Sequence, residues 1–134
     1  MSGAMNLIHF SQLLAVASGG AMGACLRWAL GLWLNPLSGT LPLGTLAANL
    51  GGGLLMGISL ALIEAMPALP PTLKLLLTTG VLGGLTTFST FSAESLQLLQ
   101  RGAFGSFCLH LLLHLGGALF ATWLGHALIT GLRG

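Results

Sequence analysis

Four apolar stretches, each long enough to cross a lipid bilayer and joined only by short polar turns, limit what this chain can become. They run over about 7–34, 43–63, 73–99 and 104–129. A helix crosses the hydrocarbon core in roughly 20 apolar residues. Only helices and closed barrels satisfy their own backbone polar groups there. The pattern predicts an all-α membrane protein, a single domain of four transmembrane helices. Composition agrees: 4% of the 134 residues are charged, where a soluble domain carries about 25%. The links Asn35-Pro36-Leu37-Ser38-Gly39-Thr40-Leu41-Pro42, Met66-Pro67-Ala68-Leu69-Pro70-Pro71 and Gln100-Arg101-Gly102 are short. Consecutive spans are therefore expected to be antiparallel neighbours.

The few charges narrow the function. Arg27, Lys74, Arg101 and Arg133 against Glu64 and Glu94 give a net charge of +2 without a basic cluster, which argues against nucleic acid as a partner. With the N-terminus cytoplasmic, Lys74 and Arg133 lie inside, and Arg101 lies outside with Arg27 nearer that face. This even split gives no orientation by the positive-inside rule. Two accounts stay open: a short chain with few charges, or dual topology, in which copies insert both ways and pair. A lone copy of four thin helices exposes its polar groups to lipid, so a homo-oligomer is expected. Cys25 and Cys108 fall in apolar segments and read as small packing residues rather than a disulfide. The N-terminal stretch lacks a basic region ahead of its apolar run, so no cleavable signal peptide is expected. No nucleophile–base–orienter set is present, which argues against an enzyme.

Gly19 and Gly23, and likewise Gly53 and Gly57, are four residues apart, the spacing of close helix packing in lipid. Residues 83–95, Gly-Gly-Leu-Thr-Thr-Phe-Ser-Thr-Phe-Ser-Ala-Glu-Ser, differ in kind. Polar groups at membrane depth need a partner or a wet cavity, and the double glycine invites a break in the third helix near Gly83–Thr87. Such interrupted segments are where a solute or ion crosses. Freed carbonyls there can bind a cation, and the restarted helix presents positive N–H ends. Asn49 lies near the middle of the second span, with Thr45 one turn earlier on the same face. Its amide either bonds a neighbouring helix or donates to a passing anion. Phe88 and Phe91 project from one side of a helix, interleaved with Ser89, Thr90, Ser92 and Ser95. Ring edges carry partial positive charge, so amide and hydroxyl donors beside aromatic edges fit an anion. Arg27 snorkels to the interface or draws anions to an entrance. Glu94 is read as near an interface or paired. His110 and His114 are four apart. No Cys or acidic residue shares their helical spacing, so they read as polar pore wall rather than a metal site.

Three blocks resemble the signature blocks of the Fluc (CrcB) fluoride channels: Gly20-Ala21-Met22-Gly23-Ala24-Cys25-Leu26-Arg27, Gly44-Thr45-Leu46-Ala47-Ala48-Asn49-Leu50-Gly51, and Gly83-Gly84-Leu85-Thr86-Thr87-Phe88-Ser89-Thr90-Phe91-Ser92. The likeness extends over nearly the whole chain, and the third block is the most specific. It implies an antiparallel, dual-topology homodimer in the bacterial inner (plasma) membrane. Such a dimer passively exports fluoride through two pores at the subunit interface. By position, Asn49 corresponds to the family's pore asparagine, and Phe88 and Phe91 to its paired phenylalanines. Thr45, Ser89 and Thr90 become hydroxyls on or beside the ion track. Gly83 and Thr86 supply backbone carbonyls to a central structural Na+. Arg27 and Glu94 match the arginine after the first block and the acidic residue after the third.

The fourth span departs from the family pattern. Members commonly carry a tyrosine and serines along its pore side, where this chain has His110, His114 and Ala118. A rival reading is a small dual-topology multidrug exporter. That chemistry needs a carboxylate deep in the first span, which here holds Arg27 and no acid.

Overall fold

The computed structural model describes residues 2–133, and it is helical throughout. Among the described residues four helices are long and apolar enough to cross a membrane. Helix α1 covers Ser2–Leu34 and α2 covers Leu43–Ala65. The third span is two helices: α3 over 71–85, opened by Pro71, and α4 over Phe88–Gln100. The fourth, α5, covers Phe104–Gly131. At 1.5 Å per residue α1 is about 50 Å long, well beyond the roughly 30 Å of hydrocarbon. Two stretches, Leu76–Leu82 in α3 and Leu112–Gly116 in α5, widen into π-helical turns. Such turns commonly mark functional positions, and the second carries His114.

The turn between α4 and α5 shows how local sequence ends a span. Gly102 takes φ +68°, and the Gly102 and Ala103 amides cap the Leu99 and Leu98 carbonyls at 3.0 Å each. A side chain is strained at that φ, so glycine fits the position just past the helix end.

Consecutive spans touch, but the strongest packing joins spans that are not consecutive: α1 lies against α3, and α2 against α5. Glycines explain the pairing. A methyl group on Gly23 would run into the Val81 carbonyl, and one on Gly84 into the Gly20 carbonyl. On the other side, a methyl on Gly57 would strike the Thr122 carbonyl. Backbones in lipid gain van der Waals contact by approaching this closely, and the small residues sit where these two pairs meet.

Little else is buried within the chain. Ala48, Leu82 and Leu85 form a small core with Leu30 and Met56 packed on it. Trp28, Trp33, Leu119 and Trp123 point outward. Cys25 and Cys108 are free and also exposed, so they do not serve as core packing residues.

The break in the third span is narrower than the glycines suggested. Gly83 and Gly84 remain helical, and only Thr86 and Thr87 are extended, at φ/ψ of −81°/153° and −150°/118°. Gly84 permits close packing on α1, and the interruption itself comes from a polar contact described next.

Candidate functional site

Asn49 holds the break open. Its Oδ1 accepts from the Thr87 backbone amide at 2.8 Å, and its Nδ2 donates to the Thr87 carbonyl at 3.1 Å. In an uninterrupted helix the Thr87 amide would bond the Gly83 carbonyl. The asparagine takes that amide instead. Thr87 then starts α4 as its N-cap: its Oγ1 accepts from the Thr90 amide at 3.2 Å. Such a cap contributes about 1 kcal/mol. Arg27 Nε donates to the Gly84 carbonyl at 3.2 Å. The half-buried arginine therefore binds the end of α3.

The amide of Asn49 has no orientational freedom. Thr87 N–H needs an oxygen opposite it and Thr87 C=O needs a nitrogen, so the two atoms cannot be exchanged. The second Nδ2 hydrogen faces His114 Nδ1 at 3.0 Å. That ring nitrogen must accept, which places the neutral ring's proton on Nε2. His114 is 4% exposed, and its Nε2 has no hydrogen-bond partner among the described residues. Asn49 thus spends all its donors inside the protein and leaves His114 with a buried, unused N–H.

The aromatic pair divides its labour. Phe91 is buried, while Phe88 is 71% exposed on the surface of the single chain, with ring centroids 5.3 Å apart. Phe91 lies against both histidine rings, at 5.1 Å from His110 and 5.0 Å from His114. The hydroxyls behind it are mostly committed. Ser92 and Ser95 donate to the Phe88 and Phe91 carbonyls at 2.9 and 2.7 Å, which satisfies them within the helix. Thr87 Oγ1 donates to Thr90 Oγ1 at 3.0 Å and lies 3.3 Å from Ser89 Oγ on the exposed side of α4.

Glu94 is paired, the second of the two readings its sequence position allowed. Thr45 Oγ1 donates to its Oε1 at 2.6 Å, and His110 Nε2 lies 3.8 Å from its Oε2. Thr45 is therefore an orienting group for the carboxylate. His110, 1% exposed, reaches the Phe91 carbonyl at 3.4 Å, and its ring centroid is 4.3 Å from that of His114. Sequence spacing found no acidic partner for the two histidines. The fold supplies one from a different span, placing ligand atoms of Glu94, His110 and His114 within 4.8 Å of one another.

Two cavities flank this cluster. One of about 470 Å³ is bordered by Asn49, Thr87, Phe88, Phe91 and His114. The other, about 430 Å³, is bordered by Thr90, Glu94, Gln97 and Arg101 and by the turn after α1. Phe91 and His114 border the first, Glu94 borders the second, and His110 lies against all three, so the cluster stands between the cavities. Thr87, the centre of the arrangement, stands at the end of the Gly83–Thr87 break expected from the sequence; its bonds to Asn49 were not expected.

A polar break stapled by an asparagine, with paired phenylalanines beside it, is accompanied by sequence similarity over most of the chain. The model of the family described as CrcB-like protein, Camphor Resistance (CrcB), matches residues 14–126. The chain belongs to the CrcB family. A protein of Aromatoleum aromaticum named fluoride-specific ion channel FluC is 62% identical over 134 residues, covering all of both chains. A protein of the same name from Serratia proteamaculans is 50% identical over 92% of this chain and 98% of its own. One from Thiobacillus denitrificans is 54% identical over 86% of this chain and 93% of its own. The CrcB match spans α2, α3 and α4 entirely, so Asn49, Thr87 and the phenylalanines all lie within it.

Proposed function

We propose that this chain is the subunit of a fluoride-selective channel. Two oppositely inserted copies pair in the bacterial plasma membrane and let cytoplasmic fluoride out passively, through two pores. The observation that carries this reading is the full-length, 62% identical relative named fluoride-specific ion channel. The geometry supports it. Phe88 and the 470 Å³ cavity lie open on the surface of one chain, and a second copy against that face would close each cavity into a narrow path.

Fluoride holds its water tightly, so a selective path must replace hydration while leaving the ion free to move on. The buried His114 Nε2–H is a donor with nothing else to bind. Its direction is set by Asn49 through the other ring nitrogen. The edges of Phe88 and Phe91 offer weak positive contacts beside it, and Ser89 and Thr90 add hydroxyls along α4. Larger halides are excluded by fit. HF enters an acid-stressed cell neutral and ionises in the less acidic cytoplasm, and the membrane potential then drives the anion out.

The break also fits a structural Na+. With the Thr87 amide diverted to Asn49, the Gly83 carbonyl loses its helical donor, and Thr86 is extended. Carbonyls of Gly83 and Thr86 are the groups that would hold the cation, which would neutralise the exposed helix ends of both copies.

Purified protein in liposomes tests the reading. Rapid fluoride efflux without chloride efflux is expected, with severe loss in Phe88→Ile. Vesicles that retain fluoride as protein-free ones do refute it. Topology is tested separately. A single cysteine placed at the 100–102 turn in a Cys25→Ser, Cys108→Ser background should be labelled from both sides of the membrane. Labelling from one side alone refutes the antiparallel pair.

A further inference from the structure

We propose that Glu94, His110 and His114 form a binding site for a borderline divalent transition metal of the zinc class, in the wall between the two cavities. The ligand set is one carboxylate and two imidazoles, a common composition for zinc with a fourth position left to water or an anion. Glu94 Oε2 and His114 Nε2 are buried and have no hydrogen-bond partner among the described residues. His110 Nε2 has only a 3.4 Å contact to the Phe91 carbonyl. Three donor atoms thus converge with their coordinating capacity unused.

The distances are close to what an ion requires. Zinc sits about 2.0–2.2 Å from N and O ligands, which puts tetrahedral ligands about 3.4 Å apart. One ligand atom from each of the three residues lies within 4.8 Å of the others, and His110 Nε2 is already 3.8 Å from Glu94 Oε2. Small rotations of the Glu94 and histidine side chains would bring them to coordination distance. Second-shell support exists as well, because Thr45 Oγ1 holds the other carboxylate oxygen at 2.6 Å.

Two contacts oppose the metal: His110 Nε2 must give up its long 3.4 Å contact to the Phe91 carbonyl, and His114 must change tautomer. Coordination through His114 Nε2 moves the ring proton to Nδ1, where it faces the Asn49 amide hydrogens. Metal binding therefore breaks the Asn49–His114 hydrogen bond, and the site is weaker than a structural zinc centre. This makes a prediction of unusual sign. In Asn49→Asp the carboxylate accepts from His114 Nδ1–H and leaves Nε2 free to ligate, the carboxylate–histidine–metal arrangement. That variant binds zinc more tightly than the wild type.

The binding rests on geometry alone, whereas its consequence, a metal ion plugging the path, rests on the channel reading above. The test uses the full chain purified without a histidine tag, stripped with chelator, and titrated with ZnCl₂ by equilibrium dialysis. The expected result is one zinc per chain, with affinity falling in His110→Ala or His114→Ala by more than the about 10- to 100-fold that loss of an outer-shell partner brings. Affinity should rise about tenfold or more in Asn49→Asp. His126→Ala, at the separate surface pair with Glu64, is unchanged. Co²⁺ in place of zinc should give the intense visible bands of a tetrahedral site. A wild-type protein that binds no zinc at millimolar concentration, or binding that survives both histidine substitutions, overturns the site. Fluoride efflux undiminished with zinc bound overturns the block. Absence of efflux without zinc overturns the channel reading and leaves the binding result standing.

Discussion

Replacing Asn49 by aspartate exchanges one NH₂ for an oxygen and alters the shape of the side chain very little. The Thr87 amide keeps its acceptor at 2.8 Å, but an oxygen now faces the Thr87 carbonyl at 3.1 Å and His114 Nδ1 at 3.0 Å. His114 answers by moving its ring proton from Nε2 to Nδ1. The Thr87 carbonyl has no such answer. It loses its donor, at a cost of about 1–3 kcal/mol in stability. The larger effect is on conduction, because Nε2 becomes a lone pair where it was an N–H. A hydrogen bond to a charged partner contributes about 1.5–3 kcal/mol. Its loss slows fluoride passage about 10- to 150-fold, before the repulsion of the new carboxylate is added. Fluoride efflux from liposomes measures the rate, and ¹⁵N shifts of labelled histidine report which ring nitrogen holds the proton. A variant that conducts like the wild type, or whose His114 keeps its proton on Nε2, refutes the chain of contacts from Thr87 through Asn49 to His114.

Further outcomes follow from the packing and the break. Gly23→Ala places a methyl against the α3 backbone and should destabilise by about 1–3 kcal/mol, whereas Gly20→Ala, with nothing within 4 Å, should melt like the wild type in detergent. Arg27→Ala leaves the Gly84 carbonyl without its side-chain donor, a loss of about 1–3 kcal/mol, read as faster hydrogen exchange across residues 84–90. Thr87→Val removes the α4 N-cap while keeping the shape. About 0.5–2 kcal/mol of stability should go with it, and Thr87→Ser should restore it; equal melting of both variants would show that the cap contributes nothing.

Much of the site was legible because chemistry is scarce in this chain. Asn49, Glu94, His110 and His114 stand out in hydrocarbon because each polar group there needs a reason. Their roles were less legible. Whether Asn49 bonds a neighbouring helix or donates to an ion stayed open, because spacing along one helix says nothing about what stands on the next. Thr45 looked like a free hydroxyl for the same reason. Arg27, near the end of a span, showed only its charge, and its bond to the Gly84 carbonyl comes from the packing of α3 beside it. The histidines looked unsuited to metal because their carboxylate partner comes from α4, sixteen residues before His110 in sequence and adjacent only once folded.

By itself the sequence determined the membrane, the number of spans, the glycine faces and the presence of a polar interruption, because apolar length and residue size act locally. The tertiary structure decided which helices touch, where the third span breaks and which way each polar side chain spends its hydrogen bonds. The Asn49 amide outcompetes the helix for one backbone N–H. That competition joins residues 38 positions apart, and only the packed bundle brings them within hydrogen-bonding distance.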